Sequence, residues 1–389
     1  MRKVAALLLM LLALPVVSAF AGEAADLTGQ VDIKAGSRAF ALERLLDRDY
    51  TTAWRGEGSG RVITVTSRQA MHGLYICFLE EPRAWTAEYR VDGAWQALPR
   101  QTSRYQHQYL ALPGVFELRL KPTGNNRAWF QISELYVFGA GATPGFVQRW
   151  REPAEENALL VLFAHPDDEA LFFGGAIPVY AGQRGLNVVA VCLSAPSTVR
   201  RAELLNSLWE MGMDAYPVFG PFQDKHSLKL ATAYKNAGET RVKRFVAGLF
   251  EQYRPMVVLT HDLEGEYGHG QHKMCADSAL HAFDQAARRA DAFQVRKLYL
   301  HLYPENQVEM DWDQPLPRFG GRSGFEVAQA AYRWHQTQQH LGQFQVEPRG
   351  SRHSSYRFGL ARSLVGPDIK GNDLMEHIDL DEYTVNTLD

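Results

Sequence analysis

The chain has only 3 cysteines in 389 residues, Cys77, Cys192 and Cys275, each set in an apolar or helical pattern. Three widely separated thiols do not make a disulfide framework, so buried thiols are expected and stability must come from apolar surface. The chain also has no excess of positive charge, with 41 Lys+Arg against 44 Asp+Glu and a formal net charge of −3. Binding to a phosphate backbone needs the opposite balance, which excludes nucleic acid as a partner. Beyond the amino terminus no apolar run approaches the roughly 20 residues that span a bilayer.

The one long apolar run, Val4 to Phe20, follows Arg2 and Lys3 and ends in Ala19-Phe20-Ala21, small residues spaced for cleavage. It is about seventeen residues long and contains Pro15, so residues 1–21 read as a signal peptide rather than an anchor. No cysteine lies near the cleavage point, which argues against lipid attachment. A secreted or periplasmic protein with no stable membrane anchor is expected. Loss of Arg2 and Lys3 takes the 41 basic residues to 39 and the net charge to −5.

A hydrophobic content of 46% over this length suits two cores. Short alternating runs at Arg61 to Thr66, Gly73 to Phe78, Ala87 to Val91, Phe116 to Leu120 and Ile132 to Phe138 predict a β-sandwich over residues 22–140. Gly139 to Gly145 is rich in glycine, alanine and proline, and residues 141–157 read as a linker. From residue 158 to 350, apolar strands at Leu159 to Ala164, Asn187 to Ser194, Met256 to Thr260 and Lys297 to Tyr303 alternate with helical stretches. That alternation predicts a Rossmann-like three-layer α/β domain with a mainly parallel sheet, whose ligands sit at the carboxyl ends of its strands. Residues 351–389 read as a polar, helical or irregular extension packing on this domain.

Chemistry concentrates at two places about a hundred residues apart. His165-Pro166-Asp167-Asp168-Glu169 directly follows the apolar run Leu159 to Phe163, and Tyr267-Gly268-His269-Gly270-Gln271-His272 answers it. Two adjacent aspartates at the end of a buried strand repel each other unless a cation lies nearby. Pro166 restricts the turn so that His165 and Asp168 converge while Asp167 projects elsewhere, free for proton transfer. His165, Asp168 and His272 are the expected ligands of a catalytic Zn²⁺ with an open position, and iron or cobalt would suit the same donors. Either half taken singly is as easily a helix cap or surface turn.

These residues resemble the PIG-L/LmbE-like zinc-dependent N-deacetylases. The resemblance rests on Leu159 to Gly175 and on Thr260-His261-Asp262 through His272, and it extends over about residues 158 to 342. It implies Asp167 as general base, His269 as general acid or oxyanion stabiliser, and Tyr267 as a group polarising the substrate carbonyl. Arg200, in an RxxE pattern with Glu203, is a candidate for a sugar hydroxyl or phosphate, or else for surface pairing with Glu203 or Glu210. His335 and Gln338, in a late segment similar to the family's, are expected to share a helical face that packs or supports the site. His261 is a supporting group or a satisfied core histidine.

The chain departs from the family at Gly270-Gln271, where relatives usually carry Pro-Asp. Asp262, Glu264 or Glu266 is then expected to set the protonation of His269 in place of the missing aspartate. The amino-terminal part resembles galactose-binding-like (discoidin or carbohydrate-binding) modules through Leu46 to Trp54 and Ile132 to Gly139. Trp85, Trp95, Tyr105 and Trp129 are its candidates for stacking on sugars, or for packing and domain docking.

The resemblance implies an N-deacetylase acting on an N-acetylated sugar or glycan. The alternatives are hydrolysis of another amide or acyl group at the same centre, and a non-catalytic glycan-binding protein with a structural metal.

Overall fold

Every residue of Asn157–Phe163 is buried, a pattern open only to a strand covered on both faces. Leu159, Val161 and Phe163 point into one apolar cluster, and Leu160 and Leu162 into another. The run therefore becomes the middle of a sheet. A computed structural model describes this architecture for residues 22–36, 39–56, 61–123, 130–340, 342, 344–381 and 383. The signal-peptide segment and Trp129 lie outside the described residues.

The amino-terminal part holds β1 (Val31–Ala35), β2 (Ala39–Phe40), β3 (Trp54–Gly56), β4 (Ile63–Phe78), β5 (Trp85–Val91), β6 (Ala94–Ala97), β7 (His107–Pro122) and β8 (Phe130–Phe138). All pair antiparallel, in the order β2-β3-β8-β4-β7-β5-β6 with β1 on β4. Two predicted strands, Arg61 to Thr66 and Gly73 to Phe78, are one 16-residue strand, β4. Register shifts between Thr66 and Gly73 let it continue along β7 while the chain bends. Its apolar face, with Trp54, Trp85 and Phe130, closes a separate core.

The second sheet runs β11 (Val218–Phe222), β10 (Val188–Ser194), β9 (Asn157–Phe163), β12 (Pro255–Thr260), β13 (Lys297–His301), β15 (Arg357–Ser363) and β14 (Gln307–Glu309). The first five strands are parallel and the last two antiparallel. One face packs on α2 (Thr198–Glu210) and α6 (Gly324–Tyr332). The other packs on α3 (Leu230–Ala237), α4 (Glu239–Tyr253) and α5 (Gly270–Ala286). The short α1 (Asp168–Leu171) follows β9, and α7 (Gln336–Gln339) follows α6.

Two expectations are corrected. Within the stretch expected to be helical or irregular, Arg357–Ser363 is a strand that enters the sheet between β13 and β14. Buried Lys297 Nζ, at 2.5 Å from Asp368 Oδ1, ties the following segment to β13. Nor does the segment at 141–157 hang free. Phe146 packs on Tyr75, Tyr136 and Phe138, and Trp150 packs on Trp209 and Tyr216. All three cysteines are free and buried, and no helix among the described residues is long and apolar enough to cross a membrane.

The aromatic candidates of the β domain are mostly occupied. Trp85 is buried and donates to Gln108 Oε1 at 3.0 Å. Tyr105 stacks on Tyr216 of the second domain at 4.5 Å between centroids, and Arg119 covers Trp95 at 4.1 Å. Trp85 thus packs in the core and Tyr105 docks on the second sheet's domain.

Candidate metal centre

The turn after β9 and the amino end of α5 meet at the carboxyl edge of the parallel strands. His165 Nδ1 lies 3.3 Å from Asp168 Oδ2 and 3.3 Å from His272 Nε2, and His272 Nε2 lies 3.4 Å from Asp168 Oδ1. All three residues are buried. Tetrahedral ligands at about 2.05 Å from a zinc ion stand about 3.3 Å apart, close to each of these pairwise separations, with Asp168 facing His165 through Oδ2 and His272 through Oδ1. With one donor atom taken from each residue, the sets that form are His165/His269/His272 and Asp168/His261/His272, which share His272 and divide His165 from Asp168.

Hydrogen bonds decide which nitrogens are free. Gln271 Nε2 donates to the Gln223 carbonyl at 3.1 Å, which turns its Oε1 toward His165 Nε2 at 2.9 Å. His165 therefore donates from Nε2 and keeps the Nδ1 lone pair for a cation. His272 Nδ1 donates to Glu266 Oε2 at 2.8 Å, leaving Nε2 free. His261 differs, because its Nε2 accepts the Ala164 N–H at 3.1 Å while Nδ1 donates to Glu266 Oε2 at 2.7 Å. Its Nε2 also lies 3.3 Å from Asp168 Oδ2, so His261 stands both behind the centre and within the Asp168/His261/His272 set.

The centre is built to hold positive charge. Burial opposes protonation of His165, but Asp168 and Asp224 outweigh it and raise the imidazole to about 10. His261 is raised to about 9, where Glu266 and Asp168 overcome burial. Burial pushes the other way on Asp168, yet His272 and His261 hold it well below the usual carboxylate range. A divalent cation would replace protons that these acids already retain.

Asp167 stands apart from the ligands. Its φ of +118° is rare for a residue with a side chain, and the turn is clamped from behind. Asp167 N donates to Glu169 Oε2 at 2.8 Å, and Glu169 Oε1 takes hydrogen bonds from Ser207 and His335, both at 2.6 Å. Burial, then the Asp168 charge, pushes the Asp167 carboxyl up to about 7 against the pull of Arg200.

Several sequence expectations change here. Arg200 lies inside α2, and its guanidinium is 3.4 Å from both Asp167 Oδ1 and Asp224 Oδ2 and bonds the Pro166 carbonyl. It does not pair with Glu203, which accepts from Thr337, or with Glu210, which bonds Arg322. His335 and Gln338 do not share a continuous helix. His335 is buried at the start of α7, while Gln338 lines the cavity.

His269 has no acid from the expected set. Glu266 instead serves His261, His272 and His301, the last at 2.6 Å. Burial, then the charges of His165 and His272, lower His269 to about 3. Its Nδ1 accepts the Gln271 N–H at 3.2 Å, so the neutral ring carries its proton on Nε2. The backbone at Gly270 accounts for the missing proline. Its N–H donates to the Ser227 carbonyl at 2.6 Å, and a Cβ there would come within 2.3 Å of Ser227 Oγ. Proline could neither donate nor fit.

Tyr267 lines the cavity, and its hydroxyl donates to Glu347 Oε1 at 2.7 Å. Sequence reasoning missed His301, Asp224, His226 and Phe344, and saw Glu266 only as a partner of His269. None lies at a periodic spacing from the motifs, and β13 and residues 344–347 reach the site only through the fold. His165, Asp167, Asp168, Arg200, Asp224, Tyr267, His269 and His272 are among the residues lining one cavity of about 390 Å³.

The family model described as PIG-L: GlcNAc-PI de-N-acetylase matches residues 160–283, from β9 to α5. Residues 160–283 form a PIG-L domain. This PIG-L domain thus contains both halves of the centre. The chain is 29% identical over 139 residues to a probable N-acetylglucosaminyl-phosphatidylinositol de-N-acetylase of Schizosaccharomyces pombe, covering 33% of this chain and 53% of that protein. It is 24% identical over 212 residues to a 1D-myo-inositol 2-acetamido-2-deoxy-alpha-D-glucopyranoside deacetylase of Catenulispora acidiphila, covering 44% and 64%. The chain spans roughly half to two thirds of the length of these curated relatives. Among solved structures, a conserved protein of Thermus thermophilus aligns with TM-score 0.37 and 20% identity over 54% of this chain and 97% of that one.

Proposed function

We propose that this chain is a zinc-dependent N-deacetylase that hydrolyses the acetamide of an N-acetylglucosamine-type sugar or glycan to an amine and acetate. Its PIG-L domain would form part of a three-layer, Rossmann-like unit, and the basic and apolar leader at residues 1–21 is the ground for proposing export. The observation that supports the reading is the convergence of His165 Nδ1, His272 Nε2 and the two Asp168 oxygens at 3.3–3.4 Å, with a second buried acid, Asp167, beside them. The named activities of the curated relatives supply the substrate class.

His165 Nδ1, Asp168 and His272 Nε2 would hold a divalent cation, which would supply Lewis-acid polarisation and acidify water. Asp167, raised to about 7, is a base of suitable strength near neutral pH and takes the proton of the attacking water. Arg200 and the Glu169 clamp fix that carboxyl in place. His269, neutral and protonated on Nε2, donates a hydrogen bond to the oxyanion of the tetrahedral intermediate. Asp167 then returns its proton to the leaving nitrogen, which departs as the free amine.

The test is acetate release across N-acetyl sugars and cell-wall fragments, with metal content measured in the same samples. Asp167→Asn should cut turnover by about 10²–10⁴-fold while keeping its metal. Metal-loaded wild-type protein inert on every N-acetyl sugar, but active on another amide, would move the assignment to a different hydrolase. Inertness on all amides with retained sugar binding would leave a glycan-binding protein with a structural metal.

A further inference from the structure

α2 makes contacts in two directions. Arg200, Glu203 and Ser207, at i, i+3 and i+7, share one helical face, and all three reach the residues that hold the Asp167 turn. Arg200 lies 3.4 Å from Asp167 Oδ1, Ser207 donates to Glu169 Oε1, and Glu203 accepts from Thr337 in α7, close to His335. Arg201, Asn206 and Trp209 leave the helix elsewhere and meet the amino-terminal part of the chain. Arg201 bonds Glu81 Oε1, in the turn after β4, and Glu81 Oε2 lies 2.9 Å from Arg104 of its own domain. Asn206 Oδ1 accepts from Gln148 Nε2 at 2.6 Å, and Trp209 Nε1 donates to the Gly145 carbonyl at 2.9 Å.

The Glu81 contact falls on the first turn of α2. Arg201 directly follows Arg200 there, just after the Ser197 side chain that accepts Arg200 N at 3.4 Å. The Arg201 guanidinium lies over the Phe219 ring at 4.0 Å, and the side chains of Arg201 and Glu81 are only 20% and 29% exposed. An ion pair shielded in this way is screened less than one in open water. Glu81, Arg104, Gly145 and Gln148 all lie outside residues 160–283.

We propose that the β domain is part of the catalytic unit, with Glu81 and Arg201 as positioning residues that set Arg200 against Asp167. A shift of this turn by about 1 Å would carry the Arg200 guanidinium away from Asp167 and the Pro166 carbonyl, an error that can cost about 10²-fold in rate. The inference rests on the deacetylase reading for its assay of turnover.

Glu81→Ala and Arg201→Ala should each lower kcat about tenfold with little change in KM. The double variant should fall no further than the worse single one. Arg201→Lys, which keeps the charge, should lose only about threefold. In an Arg200→Ala background, Glu81→Ala should change kcat by less than about twofold, because the residue it positions is gone. A tenfold loss that persists without Arg200, or wild-type kcat in Glu81→Ala, overturns the proposal. Hydrogen exchange reads the same contact without a substrate. Amides of Arg201 to Leu204 should exchange about tenfold faster in Glu81→Ala, while those of α5 keep their wild-type rate. Faster exchange in a protein that deacetylates nothing would leave the Glu81 contact standing and the deacetylase reading refuted, whereas unchanged exchange in the α2 turn overturns the positioning role whatever the substrate. Thermal melts of Glu81→Ala and Arg201→Lys establish that they fold.

Discussion

Glu266 Oε2 lies 2.8 Å from His272 Nδ1, on the nitrogen opposite the one that faces Asp168. The carboxylate thereby fixes the ring's tautomer and aims Nε2 at the ligand position. The same oxygen holds His261, and Oε1 holds His301. Burial alone would raise this acid, but the three histidines keep Glu266 well below the usual range. One buried carboxylate thus organises three imidazoles, one just after β12, one at the end of β13 and one in α5.

Glu266→Gln should weaken metal affinity about 10–100-fold, because an amide nitrogen would face an imidazole N–H. Competition against a fluorescent zinc chelator reads this directly. Affinity within a factor of two of wild type would show that packing alone orients His272.

Gln271 is predicted to act on His165 rather than on the catalytic imidazole next to it in sequence. Gln271→Leu, which removes the acceptor 2.9 Å from His165 Nε2, should lower zinc affinity about tenfold. If a shifted pH–rate profile with unaltered zinc affinity were found instead, the residue would be tuning His269.

Gly270→Ala tests the close approach at the start of α5. Its Cβ would sit 2.3 Å from Ser227 Oγ and 3.0 Å from the Lys229 carbonyl, and relief of that overlap should cost about 1–3 kcal/mol. Urea unfolding measures it, and an unchanged midpoint would mean that the Ser227 loop moves freely.

The β domain should carry a pH-dependent stability of its own. His107 is buried, bonds Tyr75 Oη through Nδ1 at 2.7 Å, and is lowered by burial from 6.5 to about 3. Between those values the unfolded chain binds a proton that the folded chain refuses, so stability rises with pH there and is lost as pH falls. The slope for one proton has a ceiling of about 1.4 kcal/mol per pH unit. The difference in melting between wild type and His107→Gln, followed from pH 7 to pH 4, should close as pH falls. A constant difference would mean that His107 takes up its proton while folded.

Part of this was legible along the chain. The all-apolar run into His165 announced a buried parallel strand, and Pro166 with two aspartates announced a charged turn at its carboxyl end. Those features are local, and the period of burial and the chemistry of adjacent residues determine them. β11 escaped notice because Gly220 and Pro221 interrupt its pattern. β15 escaped because its alternation is short and partly exposed.

The sequence by itself determined the elements, the alternation that puts a turn at a sheet edge, and the residue types able to grip a cation. Only the tertiary structure decided how each of them acts. Hydrogen-bond direction chooses the free nitrogen of an imidazole, and its partners came from Gln271, Glu266 and Ala164, brought together by strand order rather than spacing. It also decided that the exposed tyrosine of the second motif is held by Glu347, 80 residues further on. A contact across that distance in the chain leaves no period to read, because it exists only once both segments have packed against the same sheet.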